Sequence, residues 1–79
     1  MKLSIPELLG WYGVVAILLA YVLLTFSVLE SQSLAYHLLN ASGAVGIVVD
    51  AVHQKNWQPA VLNIIWLVIA AIAVGRIVF

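Results

Sequence analysis

Three long apolar runs, parted by two short polar stretches, account for nearly the whole chain. The first runs from Leu8 to Leu29 without a charge, about 22 residues, or ~33 Å as a helix. The second covers about 34–52 and the third about 60–79. Runs of this length are too long for strands and match the roughly 20 residues a helix needs to cross a bilayer. The boundaries carry their own signals. Ser4 can cap the first helix, Pro6 suits its first turn, and Glu7 completes a Ser-x-x-Glu capping box. Glu30-Ser31-Gln32-Ser33 ends the first run, and His53 to Gln58 forms the most polar stretch of the chain. Asn56 or Gln58 then leads into Pro59, which fits the first turn of a third helix. The expected fold is all-α, an integral membrane three-helix bundle in one domain over residues 1–79.

Within the runs, small residues recur at helical spacing. Ala16 and Ala20, Ser42 and Gly46, and Ala71 and Gly75 each lie four apart. Lipid tails are as apolar as leucine, so helices associate through close packing at such positions. Gly43 and Gly46 make the second helix the expected centre of the bundle. Its face through Tyr36, Asn40, Gly43, Ile47 and Asp50 turns Asn40 toward protein. Asn63 shares one side of the third helix with Trp66, Ala70 and Ala73. The helices run antiparallel, so Asn40 and Asn63 fall at different depths and are not expected to bond each other.

Composition narrows the function classes. Hydrophobic residues make up 66% of the chain and charged ones 8%, against roughly a quarter charged in soluble domains. Three basic and three acidic side chains leave no field for nucleic acid, which is set aside as a partner. The absence of cysteine removes thiolate chemistry and most structural zinc sites. Met1-Lys2 ahead of an apolar run also fits a signal peptide, but a signal core is usually 7–15 residues, shorter than this run. The segment reads as a span. Lys2 and Lys55 share one side and Arg76 lies on the other with Glu30, so the positive-inside rule puts the amino terminus in the cytoplasm. Trp11, Tyr12 and Trp57 fall near that same interface. The carboxyl terminus is then periplasmic.

Candidate chemistry is sparse. Asp50 ends the second helix, where the dipole disfavours a negative charge. It reads either as a proton or cation site or as an ion pair with Lys55 or His53 that anchors the loop. His37 reads either as an interfacial anchor or as a ligand to a haem- or chlorophyll-type macrocycle. No histidine pair has metal spacing. Ser42, Asp50 and His53 do not aim at one point, so catalysis is not expected. Asn63 and Trp66 could stack on and hydrogen-bond a small polar solute, or pack between helices.

Three stretches carry a resemblance: Gly10-Trp11-Tyr12-Gly13, then Ser33 to Asn40 followed by Gly43-Ala44, then Pro59 to Trp66. In these the chain resembles a widespread bacterial family of small three-helix membrane proteins with no assigned activity. That likeness implies three spans in a bacterial inner membrane. More distantly it is similar to the SemiSWEET sugar transporters, which implies Asn63 as a solute-binding amide. Those transporters hinge on a Pro-Gln pair late in the first helix, and here no proline lies between Pro6 and Pro59.

The expected function is therefore non-enzymatic: an accessory subunit packed into a larger membrane complex, respiratory or photosynthetic, with lipid, quinone or pigment as candidate bound groups. The competing expectation is a homodimeric SemiSWEET-like transporter with a midplane site at Asn63 and Trp66. Helix packing is assigned to Asn40, Gly43, Gly46, Asn63 and Trp66.

Overall fold

The computed structural model describes residues 2–79; Met1, at the charged amino end, lies outside the described residues. Three helices fill it: α1 (Ile5–Thr25), α2 (Leu34–His53) and α3 (Trp57–Val78). All three are long and apolar enough to cross a membrane.

Helix α1 starts where its capping box directs. The Ser4 hydroxyl accepts from the Glu7 N–H at 3.3 Å, and the Glu7 carboxylate accepts from the Ser4 N–H at 3.4 Å. Two orphan donors are satisfied reciprocally, with Pro6 spending no N–H in the first turn. The helix ends at Thr25, four residues short of the expected Leu29. Ser27 takes a left-handed conformation (φ 63°), and the Val28 N–H returns to the Leu23 carbonyl at 2.8 Å. Together with the Ser27 bond to Leu24 this closes a Schellman motif. Apolar character continues past the stop, so hydropathy overshoots it.

Helix α2 begins at Ser33, whose hydroxyl accepts from the Tyr36 N–H at 3.1 Å. It closes the same way as α1. Lys55 sits at φ 56°, and the Asn56 N–H reaches the Ala51 carbonyl at 2.8 Å. Asn56 is also the N-cap residue of α3, which starts three residues before the expected position. Pro59 thus falls in the first turn, where its missing N–H leaves no gap in the helix.

Helix α2 packs against both α1 and α3, whose backbones do not approach each other among the described residues. The interior is made of small residues. Ala16, Ala20, Ala44, Ala51, Ala60 and Ala70 are its buried apolar side chains, and no large side chain among the described residues is fully buried. Leucine and valine point outward along all three helices, joined by isoleucine and tryptophan on α1 and α3. A soluble core has the opposite distribution.

Candidate functional site

Close approach of backbones is the first feature the fold builds. Gly10, Gly13, Ala16 and Ala20 form the buried stripe of α1, and Gly43 and Gly46 face it from α2. A Cβ on Gly43 would lie 2.9 Å from the Gly13 carbonyl oxygen and 3.2 Å from the Ala16 Cβ. A Cβ on Gly46 would run into the Leu9 carbonyl, and one on Gly10 into the Asp50 carboxyl. At Gly43 and Gly46 no side chain fits between the backbones, and at Gly10 the space is already taken by the Asp50 side chain. Gly10 and Gly13 carry a packing role that sequence reasoning missed, although the Gly10-x-x-Gly13-x-x-Ala16 spacing holds the signal. The pair Ala71 and Gly75 behaves differently: Ala71 is exposed, and nothing lies within 4 Å of a Cβ built on Gly75.

Across the same seam the Tyr12 hydroxyl meets the Ser42 hydroxyl at 2.7 Å, and Ser42 also donates to the Leu39 carbonyl at 3.1 Å. Tyr12 therefore turns its polar tip toward the middle of α2 rather than toward the end of the bundle. The two buried amides each look back along their own helix. The Asn40 amide donates to the Tyr36 carbonyl and the Asn63 amide to the Pro59 carbonyl, both at 2.9 Å. They do not bond each other.

Three clefts hold the remaining candidates. Near the α2–α3 turn, Asp50 lies with Gly10, Trp11, Val14, Ile47 and Gln54 around a cleft of about 300 Å³. Its carboxylate accepts from the Gln54 amide at 2.7 Å. No ion pair joins it to Lys55 among the described residues. The reason is local: Gln54 stands one turn on, over the same helix face, whereas Lys55 has already entered the left-handed turn. Midway along the bundle, Asn63 and Trp66 share an apolar groove of about 230 Å³ with Ile17 and Leu62. Trp66 remains 44% exposed. At the far end, His37 comes together with Gln32 from the α1–α2 connection and Ala73, Arg76 and Ile77 of α3, around a cleft of about 440 Å³. The His37 ring meets the Tyr36 ring edge-on at 5.2 Å between centroids. The antiparallel course of α2 and α3 puts His37 and Arg76 at one end, but their proximity follows only once the facing sides of the two helices are known. No group of three or more histidine, aspartate or glutamate side chains converges among the described residues.

These features define an all-α protein of three apolar helices, held together by small residues and locally satisfied amides. A family model matches residues 6–79, nearly the entire chain, and the protein belongs to that family of small proteins. No curated protein and no solved structure matches it.

Proposed function

We propose that the protein is an integral membrane protein without enzymatic activity, a three-span packing unit that serves as an accessory subunit of a larger membrane complex. One observation carries this reading: the distribution of side chains is inverted, with glycine, alanine and asparagine inside and large apolar side chains outside. In water such a surface would be unstable, since exposed contiguous apolar area drives association. In a bilayer it is the ordinary arrangement, and the helix lengths of 20–22 residues give about 30–33 Å, the thickness of the hydrocarbon core.

The accessory role draws on what α3 leaves open. One face of α3 meets α2, while Ala71 and Gly75 offer a second small-residue face that nothing among the described residues covers. The polar side chains support a structural task, because Asn40, Asn63, Ser42 and Asp50 are all engaged in local hydrogen bonds. Lys2 and Lys55, with Trp11 and Trp57, lie toward the end of the bundle that the positive-inside rule puts in the cytoplasm, and Arg76 lies toward the other. The membrane is that of a bacterial cell on the family resemblance.

The test is native mass spectrometry of the tagged protein extracted from its own membranes in mild detergent, with an absorption spectrum of the same fraction. Stoichiometric larger subunits, released by Gly75→Leu, are the expected result. A colourless homodimer that Gly75→Leu leaves intact would overturn the accessory role and turn attention to transport through the Asn63–Trp66 groove.

A further inference from the structure

We propose that the cleft between the start of α2 and the end of α3 binds a phosphate-type anion, with Arg76 and His37 as its donors. Three observations converge there. The cleft, about 440 Å³, is lined by three side chains able to donate hydrogen bonds, Gln32, His37 and Arg76. Arg76 supplies a permanent charge and a planar fork that fits two phosphate oxygens at once. His37 supplies a ring N–H in either protonation state. No acidic side chain lines the cleft.

The second observation is that these donors are uncommitted. Among the described residues, no side-chain hydrogen bond or ion pair engages Gln32, His37 or Arg76, whereas Asp50 at the opposite end is bonded to Gln54. The third is the direction of α2. Gln32 and His37 flank its first turn in sequence, so the cleft lies beside the positive end of the helix dipole, which adds to the same field. Ala73 and Ile77 give the cleft an apolar flank on the α3 side. An anion carrying a hydrocarbon tail would place its phosphate against Arg76 and its chain along that flank.

The ligand class is thus a phosphate ester, presented either by a lipid headgroup or by a free small molecule. The lipid arm rests on the membrane reading above; the free-anion arm does not. The experiment reconstitutes the protein in vesicles of phosphatidylcholine with a minor fraction of phosphatidylglycerol, then releases it for native mass spectrometry. Wild type is expected to retain phosphatidylglycerol in excess over its share of the vesicle. Arg76→Gln should lower that retention about fivefold, the effect of one basic side chain near an anionic surface, and His37→Gln should lower it in the same direction. Lys55→Gln, at the other end of the bundle, is the control and should retain lipid as wild type does. In parallel, glycerol phosphate is titrated into the detergent-solubilised protein. Arg76-dependent binding there without lipid retention assigns the site to a free anion. Equal retention by wild type and Arg76→Gln, with no glycerol phosphate binding, overturns the proposal. Failure of the protein to float with vesicles would count against the membrane reading instead, and the glycerol phosphate titration would still decide the site.

Discussion

Helix α2 meets its two neighbours in different ways. Toward α1 the contact is glycine on glycine, with Gly43 against the Gly13 carbonyl and Gly46 against the Leu9 carbonyl, so main chain touches main chain. Toward α3 the buried residues are alanines and an amide, Ala60, Asn63 and Ala70, and the α3 glycine lies outside the contact. The α1 seam also has a hydrogen bond between helices, Tyr12 to Ser42, while both buried amides bond within their own helices. Close approach multiplies dispersion contacts, each worth only about 0.1–0.2 kcal/mol, and small residues are what permit it. The first seam is the fixed half of the molecule. The second is looser and leaves part of α3 available.

The largest expected effect comes from filling the first seam. Gly13→Leu or Gly46→Leu puts a side chain where a carbonyl already stands, and helices cannot repack around their own backbones. A loss of about 3 kcal/mol, the upper end of overpacking costs, is expected from detergent-titration unfolding. Gly75→Leu in the isolated protein should cost far less. Equal losses at Gly13 and Gly75 would erase the distinction between the seams.

Gly75→Ala sharpens the comparison with an opposite sign. With nothing within 4 Å of the added Cβ, the substitution only trades glycine for a better helix former. A gain approaching 1 kcal/mol is expected in the isolated protein from the same unfolding measurement. A loss would mean that a second copy already covers this face.

How much of this contrast the sequence shows depends on the residue. The Ser4–Glu7 capping box depends on spacing alone, and it forms as the spacing predicts. The end of α1 does not, because Ser27 takes a left-handed conformation usually reserved for glycine, inside a run whose hydropathy continues to Leu29. Small-residue stripes are visible as stripes, but their partners are not. Ala16 and Ala20 are buried while Ala71 and Gly75, at the same spacing, stay open, and the difference lies in which helix happens to face them. Gly10 and Gly13 stand out as a motif, yet their role needs the register of α1 on α2. The Asp50 partner was a choice among neighbours that only the geometry of the turn resolves: Gln54 is still over the helix face and Lys55 is not.

Removing the hydroxyl contact across the first seam is the next smaller effect. Tyr12→Phe leaves the ring in place and deletes the bond to Ser42. Hydrogen bonds between helices in membranes average about 0.6 kcal/mol and reach roughly 1.7. A loss near that average is expected, and adding Ser42→Ala to Tyr12→Phe should cost only the further Ser42 bond to the Leu39 carbonyl on its own helix, because the bond between the helices is already gone. Additive losses would show that the two hydroxyls act through separate partners.

The smallest effect should fall on the second seam, at Asn63. Its amide donates to the Pro59 carbonyl, which lies one turn back on the same helix and is also the ordinary acceptor for the Asn63 backbone N–H. Asn63→Ala therefore removes a bond that does not tie α3 to α2, and the carbonyl keeps its main-chain donor. Alanine is also the residue that lines the rest of this seam, at Ala60 and Ala70. The two consequences nearly cancel: a local hydrogen bond is lost and helix propensity is gained, for a net change below about 0.6 kcal/mol. Unfolding of Asn63→Ala in detergent measures the structural side, and solute flux through vesicles containing the variant measures the other. A stability loss well above that bound would mean that the second seam relies on the amide. Unchanged stability with abolished flux of a small polar solute would make Asn63 a binding group in the groove it shares with Trp66, and the looser seam would then be the working half of the molecule.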